Sequence, residues 1–492
     1  MKKRFKILFI DVIDHSIKFQ DSYPHLGIGY LISYLQREMD DIDILVVNSK
    51  EMKHLESFKP NVVAISSATQ NYNKAKRIAK DIKDYNPACP IIIGGVHVSQ
   101  LPGSIDTNMD IAVIGEGEET FSHLIKHMRD NNNFLKNLEN IDGLSFWNDN
   151  QLINTQKRDV ISPLDKIPHP ARSKLPNSDN HILLTSRGCP YKCAFCASSH
   201  FWRNVRYFST DYVMEEIDQI LSSYPILTLF IFDDLFVFNK KRLEEISLRI
   251  VKEGYHKKVN FWCTARANHI DEESVKYLKK MNMKGVGLGL ESGSDKILKM
   301  VKSDSVSVEV NKKAINLCKK NGIFVHGSFM LGCPYETESD MLKTYDFVKN
   351  SGIDKGDITV ATPLPGTKFW EYALKEVIVS TNMDWSRLAY RYTDDMPTME
   401  NSLLLSKEVS KQRFLEIFKD IIPILLSKRK EYEKKWERVQ GKELSFNKIF
   451  SFITLKKFIK DPLRGMRYAV SFLLNIPNRL LSFPRHLYNK YK

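Results

Sequence analysis

Cys189, Cys193 and Cys196, in the string RGCPYKCAFCASS, have a spacing and composition that suit a cubane iron–sulfur cluster with one iron left open. Three thiolates hold three of the four irons, and the fourth, with no protein ligand, is free to take a chelating small molecule. That opening separates a catalytic cluster from a sealed electron-transfer one. On the cysteines alone, a structural zinc site or three unrelated thiols stay open as alternatives. The other four, Cys89, Cys263, Cys318 and Cys333, stand isolated, so a second cluster on a local cysteine motif is not expected. Seven cysteines in 492 residues do not make a disulfide framework, and the expected compartment is reducing and cytoplasmic.

Two runs of alternating strand and helix must position these residues. Residues 6–12, 43–47, 61–66, 90–94 and 110–114 are short apolar, β-rich runs separated by amphipathic stretches such as 27–39 and 73–85. The alternation predicts an α/β, Rossmann-like, doubly wound parallel sheet over residues 1–140. Ligands of such sheets sit beyond the carboxyl ends of the strands. Those ends carry Ser66-Ser67-Ala68-Thr69, Gly94-Gly95-Val96-His97 and Gly115-Glu116-Gly117-Glu118, so all three loops face one crevice. Residues 141–180, with the two prolines of Leu164-Asp165-Lys166-Ile167-Pro168-His169-Pro170, read as a linker. Six further strand-like runs, 181–186, 227–233, 259–264, 284–290, 323–331 and 356–363, then alternate with helical patterns. Six βα units fall short of a closed eight-fold barrel, and the cysteine loop directly follows the first of them.

The CxxxCxxC spacing, with Phe195 just before the third cysteine, resembles the radical S-adenosylmethionine (SAM) superfamily, and the six units match its open (βα)6 barrel over residues 181–395. The resemblance implies that the open iron binds the amino and carboxylate groups of SAM. An electron from the [4Fe–4S] cluster would then break the C5′–S bond and give a 5′-deoxyadenosyl radical. It also implies a SAM-binding set of Phe195, Asp233, Asp234, Arg266, Glu291 and Gly332. Asp233-Asp234 would replace the superfamily's GGE in holding the SAM amino group, and Arg266 offers a two-pronged donor to its carboxylate. Glu291 would accept from the ribose hydroxyls, while Gly327, Gly332 and Glu336 resemble the element that packs against adenine. Each acid taken alone could instead be a helix N-cap. Cys333 lies near the same mouth and is read as a small buried thiol ahead of a catalytic one.

The first module, with Pro24-His25-Leu26-Gly27 opening its first helix and the LDKIPHP connector behind it, resembles the cobalamin-binding domain fused ahead of many radical SAM proteins. Those include class B methyltransferases and anaerobic Mg-protoporphyrin cyclases. The resemblance covers roughly residues 1–390 and implies cobalamin against Ser66, Ser67, Thr69, Gly94, Gly95, His97, Gly115, Glu116 and Gly117. The DxHxxG motif that places a histidine on cobalt in methionine synthase is missing, since neither Asp14-His15 nor Asp21 through His25 matches it. A base-off cofactor with no histidine from that motif on its lower face is therefore expected, and His97 is not assigned to metal. A domain of this shape that binds nothing is the alternative.

The net charge of +14 is uneven along the chain. Residues 401–492 carry 21 Lys and Arg against 8 Asp and Glu, and the remainder carries 52 against 51. The basicity belongs to the tail, whereas a nucleic-acid enzyme would more naturally carry positive charge around its active site as well, and no nucleic-acid partner is expected. Residues 405–437 read as a long helix, with Phe414, Ile417, Ile421 and Leu425 at helical spacing. From 444 to 492 ten Lys and Arg face one acid, Asp461, amid Phe446, Phe450, Phe452 and Phe458. Cationic and aromatic density of this kind suits an anionic lipid surface; a solvated helical subdomain and RNA binding are the alternatives. The whole region 396–492 is expected to be helical, basic and amphipathic. Asp11 and Asp14 break up the N-terminal apolar run, which reads as a strand and not a signal peptide. No apolar stretch approaches the roughly 20 residues that span a bilayer.

The expected function is a cytoplasmic, oxygen-sensitive, cobalamin-dependent radical SAM enzyme, peripheral on the membrane if the tail binds lipid. It would methylate an unactivated carbon of a hydrophobic or complex substrate and draw on a flavodoxin- or ferredoxin-type electron donor. Ring closure without methyl transfer and a non-catalytic iron–sulfur sensor are the alternatives.

Overall fold

Apolar runs flanked by amphipathic helices build two sheets, the first parallel except for a terminal antiparallel hairpin and the second wholly parallel. The computed structural model describes residues 4–14, 22–48, 51–131, 135–176, 178, 180–202, 204–389 and 401–443. The basic stretch 444–492, read above as a lipid-surface segment, lies outside the described residues. The first sheet comprises β1 (Phe5–Val12), β2 (Ile42–Val47), β3 (Val62–Ser67), β4 (Ile91–Gly94), β5 (Ile111–Val113), β6 (Leu144–Asn148) and β7 (Gln151–Asn154), in the order β2-β1-β3-β4-β5-β6-β7. β1 to β5 pair in parallel; β6 runs antiparallel to β5, and β7 antiparallel to β6. β1 shows why a parallel strand reads as one continuous apolar run. Its Ile7 and Phe9 pack into one core with Ile28, Ile32 and Leu124, and its Leu8 and Ile10 into the other with Ala75, Ala79 and Ile82.

The β6–β7 hairpin lies inside the stretch expected to be a linker. Its turn, Asp149-Asn150, has positive φ at both residues (47° and 64°), the backbone that a two-residue hairpin demands and that Asp and Asn tolerate. The remainder of the connector, with Pro170 and Leu175, packs against Gly29 of the helix Leu26–Glu38.

The second sheet holds β8 (His181–Leu183), β11 (Thr228–Ile231), β12 (Asn260–Ala265), β13 (Met283–Glu291), β14 (Phe324–Leu331) and β15 (Lys355–Val360), in the order β15-β14-β13-β12-β11-β8. Every neighbouring pair is parallel, and among the described residues β8 and β15 are its two edges, as an open barrel requires. A separate antiparallel pair, β9 (Ser186–Arg187) with β10 (Arg206–Tyr207), follows β8. Side chains cap the intervening helices: Ser209, Asn239, Ser307 and Thr367 each accept from a first-turn N–H, and Asp271 and Thr337 form capping boxes with Ser274 and Asp340.

The last helix, Lys411–Glu443, starts at Lys411 and not near 405, where Ser410 accepts from the Arg413 N–H. Phe414, Phe418, Ile421 and Leu425 are buried at the open edge of the barrel, where Leu425 lies against Gly356 of β15. Among the described residues no helix is long and apolar enough to cross a membrane.

Candidate active site

The cysteine loop is held at its base. The β9–β10 pair sets Arg187 opposite Arg206 and Ser186 opposite Tyr207, so residues 188–205 form a clasped loop. Gly188 makes this possible: its φ is +96°, and a Cβ there would stand 2.5 Å from the Asn204 carbonyl oxygen. Within the loop the Cys196 N–H donates to the Cys193 carbonyl (3.1 Å), the Ala194 N–H donates to Val301 (3.0 Å), and His200 Nδ1 donates to the Cys196 carbonyl (2.7 Å). Burial pushes the Cys189 thiol up to about 11 and raises that of Cys196, so cluster assembly must displace protons from them. A guanidinium nitrogen of Arg266 lies 3.1 Å from Cys193 Sγ and supplies a positive neighbour for thiolate. No three His, Cys, Asp or Glu side chains among the described residues are set to hold one metal ion. Thiolates on separate irons of a cubane need not converge on one point.

A cavity of about 580 Å³ opens beside the loop, lined by all three cysteines, Phe195, Asp234, Arg266 and Glu291. Arg266, 6% exposed, also donates to the Lys302 carbonyl and Ser305 Oγ and stacks 4.0 Å from the Tyr191 ring centre. Glu291, at φ +59°, pairs with Lys302 at 2.9 Å. Asp234 opens onto the cavity and accepts from Ser198 Oγ (2.7 Å) and the Gly188 N–H; the protein around the cavity strips water from its carboxyl group and raises its pKa against those two donors.

Two members of the expected SAM set do not reach this cavity. Asp233 is 1% exposed, and its oxygens accept from Thr185 N (2.6 Å), Thr185 Oγ1 (2.5 Å), Ser186 N (3.2 Å) and Ser186 Oγ (2.6 Å). It therefore ties the β8–β9 turn to β11, which leaves Asp234 as the carboxylate at the cavity. Gly332 is covered by the C-terminal segment: a Cβ there would stand 3.0 Å from Leu404 and 3.3 Å from Phe414. Its N–H donates to Glu336 (2.6 Å), a fully buried acid whose pKa burial pushes up to about 8.

A second cavity, of about 330 Å³, lies where the two modules meet. From the first module come Ser66, Gly94, Gly95, Gly115, Glu116 and Gly117; from the second come Ser186, Arg187, Trp202, Phe232 and Asp234. A Cβ on Gly94 or Gly115 would meet nothing within 4 Å, so the strand ends offer bare backbone to a bulky ligand. Gly95 is bare for another reason: at φ +112° a Cβ would stand 2.4 Å from the Ser67 carbonyl oxygen. This glycine cradle fits the broad face of a corrin.

Ser67, Thr69 and His97, expected at the same cavity, do not line it. Ser67 and Thr69 are buried beneath the loop. His97 is fully buried between Tyr72 and Trp385, with ring centroids 3.9 and 4.6 Å away, and burial holds its pKa down to about 3.

Glu116 lines the cavity but spends both oxygens on protein donors: Arg187 at 2.7 Å, Arg206 at 2.8 and 2.9 Å, and the Ile161 N–H at 2.9 Å. Arg187 also holds Glu118 at 2.6 Å. Sequence reasoning missed this network, because the strand-end acids and the arginines beside the cysteine loop lie some 70 to 90 residues apart. It also missed His25, which lines the cavity with Nδ1 placed 2.9 Å from Asp11 Oδ1.

With two α/β modules, a cysteine loop at the head of an open barrel and a glycine cradle facing it, the architecture is that of a two-cofactor enzyme. The radical SAM superfamily model matches residues 183–348, and the B12 binding domain model matches residues 16–125. The chain is 32% identical over 405 residues to an uncharacterized methyltransferase of Pyrococcus horikoshii, covering 79% of this chain and 85% of the relative. It is 24% identical over 460 residues to the anaerobic magnesium-protoporphyrin IX monomethyl ester cyclase of Rubrivivax gelatinosus, covering 87% of this chain and 80% of that one. Among solved structures, the radical SAM methyltransferase TsrM of Kitasatospora setae, with cobalamin and a [4Fe–4S] cluster bound, matches with a TM-score of 0.64 at 16% identity, covering 76% of each chain. OxsB, with aqua-cobalamin and SAM bound, matches with a TM-score of 0.61 at 19% identity, covering 87% of this chain and 62% of that one. These two likenesses show the fold. The chain belongs to the cobalamin-binding radical SAM family and is an enzyme whose cofactors are a [4Fe–4S] cluster, SAM and cobalamin.

Proposed function

We propose that this enzyme methylates an unactivated carbon of a hydrophobic or complex substrate, held where its two cavities adjoin. The observation that carries the reading is that Phe232 and Asp234 line both cavities, the one beside the cysteines and the one in the glycine cradle. When bound, the cluster and SAM supply a hydrogen-abstracting radical, and cobalamin supplies a transferable methyl group. The chain's own residues orient these groups. Cys189, Cys193 and Cys196 hold three irons, Arg266 neutralises charge beside Cys193, Asp234 accepts from the SAM amino group, and Glu291 accepts from its ribose. Gly94, Gly95, Gly115 and Gly117 let the corrin approach the backbone. The modules divide the work as cobalamin domain (1–140), connector (141–180), barrel (181–395) and C-terminal region (396–492), of which Lys411–Glu443 is helical.

The cavity beside the cysteines has aromatic walls, Phe230, Phe232, Trp262 and Tyr432, and a charged end with Lys355, Asp357 and Arg429, which supports a complex substrate carrying both apolar and polar parts. Ring closure without methyl transfer is the second reading, favoured by the likeness to the Rubrivivax cyclase. The enzyme works in the cytoplasm with a flavodoxin- or ferredoxin-type reductant, and the basic tail 444–492 rests on anionic lipid.

The deciding experiment is anaerobic reconstitution with iron, sulfide and hydroxocobalamin, followed by incubation with dithionite and SAM and mass spectrometry. 5′-Deoxyadenosine together with S-adenosylhomocysteine and near-stoichiometric cobalt is expected. 5′-Deoxyadenosine without S-adenosylhomocysteine would move the assignment to ring closure, and failure to cleave SAM with an intact cluster would overturn both. For the tail, sedimentation with anionic liposomes should be lost on truncation near residue 440; equal binding would remove the lipid role.

A further inference from the structure

Lys302 and Lys355 both line the cavity beside the cysteines, and they differ in what answers their charge. Lys302 is buried, pairs with Glu291 at 2.9 Å and donates to the Gly289 carbonyl. Lys355, the first residue of β15, has its ammonium 4.9 Å from the Trp262 ring centre and 4.6 Å from that of Tyr432. Two rings attract a cation at that distance but offer it no oxygen. Among the described residues no oxygen accepts from this ammonium. The neighbouring carboxylate is already taken, since Asp357 accepts from Arg429 at 2.9 Å and pairs with His326 at 2.8 Å. Glu433, on the last helix, is exposed. Burial pulls the Lys355 pKa down and Arg429 adds to that, while Asp357 and Glu433 oppose it. An ammonium so placed is stabilised by an anion brought from outside.

An aromatic wall leads to it. From Phe232, where the two cavities adjoin, ring centres run to Tyr23 (4.9 Å), Phe230 (6.0 Å) and Trp262 (6.2 Å), the ring beside Lys355. Asp234, Arg266 and Glu291 stand at the carboxyl ends of their strands, whereas Lys355 stands at the amino end of its own. Five residue steps of β15 separate Lys355 from Val360, about 16 Å of strand. A ligand that reaches from the junction to Lys355 is therefore elongated, apolar along its body and charged at its far end. One unanswered positive charge calls for one negative charge; a phosphate would bring a second and leave it buried without a partner.

We infer that Lys355 binds a carboxylate of the substrate at the far end of this cavity and so determines which molecules the enzyme accepts, the reacting carbon lying at the opposite end beside Phe232. The inference rests on the reading above only in taking this cavity as the substrate's. It narrows the substrate class to elongated, apolar carboxylic acids.

The test is calorimetry on the unreduced holoenzyme loaded with SAM, with three probes that share one apolar body: naphthylbutyrate, naphthylbutanol and naphthylbutyl phosphate. Without reductant SAM stays whole, so binding is read apart from chemistry. The butyrate should bind about tenfold more tightly than the butanol and the phosphate, and Lys355→Met should erase its advantage over the butanol while iron and cobalt content stay at the wild-type level. Equal binding of butyrate and butanol overturns the inference. So does a preference for the phosphate, no binding by any probe, or a butyrate preference that survives in Lys355→Met. If that variant fails to fold, Lys355→Gln takes its place, and unfolding of both would mark a packing role and overturn the inference as well. The two levels fail separately: loss of the carboxylate preference leaves methyl transfer standing, and a product pattern without S-adenosylhomocysteine leaves the carboxylate site standing.

Discussion

Asp233 and Asp234 are adjacent, chemically identical and set apart by their surroundings. Asp233 is enclosed by four donors from Thr185 and Ser186 and lies near Arg242; Asp234 is exposed at the junction of the cavities. Burial raises the pKa of Asp233 on balance, against the pull of Arg242 and of the hydrogen bonds from Ser186 and Thr185. Asp233→Ala, which leaves those donors unpaired, should lower unfolding free energy by about 3 kcal/mol in urea titrations. Asp234→Ala should leave stability within about 0.5 kcal/mol and weaken SAM about tenfold by anaerobic calorimetry. Reversed effects would return the SAM role to Asp233. Glu336 gives a pH signature. Its folded pKa near 8 stands above the ordinary value of 4.5, so the folded chain binds the extra proton. Its stabilising share is complete below the unfolded pKa and is lost as pH rises through the folded one. The urea midpoint should fall between about pH 4.5 and about pH 8 and level off above, and Glu336→Gln, which keeps the neutral form, should flatten that slope. An equal slope in the variant would mean the acid is already ionised.

At the level of elements, the loops after β3 and β4 show which backbone the cavity needs and which the fold needs. Gly94→Ala has room and should cost less than about 1 kcal/mol of stability while reducing cobalamin retention after gel filtration. Gly95→Ala, with its positive φ and a contact to the Ser67 carbonyl, should cost about 2 kcal/mol or more in thermal unfolding. If Gly94→Ala kept full cobalamin, the cradle would not be the corrin site. The strands themselves were legible because parallel strands buried on both faces read as unbroken apolar runs: 6–12 was expected and Phe5–Val12 is found, 323–331 expected and Phe324–Leu331 found. The cysteine loop was legible because its chemistry is local. The β6–β7 hairpin was not, since a polar Asp149-Asn150 turn between short strands reads equally as a linker. Nor was the fate of Asp233, Gly332 or His97. A strand-end acid, a positive-φ glycine or a loop histidine looks the same in sequence whether it faces a ligand or is covered by Thr185, Leu404 or Trp385.

Across the whole molecule, the two cofactor sites are held in register by buried charge. Arg187 directly precedes the Gly188-Cys189 turn, and Glu116 and Glu118 flank Gly117 of the cobalamin crevice; all three side chains are under a tenth exposed. Burial works against the charge on Arg187, yet Glu118 and Glu116 hold its pKa above the ordinary value. Burial works likewise against Glu116, and Arg206 with Arg187 brings its pKa below the ordinary carboxylate value. The guanidinium carbon lies 5.1 Å from the Tyr30 ring centre and 5.6 Å from that of Trp202. Such a network adds little net stability when intact but is costly to break singly, because the partners remain buried and charged. Arg187→Met should therefore lose about 3–5 kcal/mol of unfolding free energy. Because Arg187 ties one cofactor loop to the other, both iron and cobalt content should fall after reconstitution, although Arg187 is not a proposed ligand of either. Adding Glu116→Gln and Glu118→Gln to Arg187→Met removes the stranded charges and should recover much of the stability without restoring both cofactors. Recovery of iron and cobalt together with stability would show that the network serves folding alone, and that the spacing of the two sites is set by the apolar contacts of Tyr30, Phe208 and the connector.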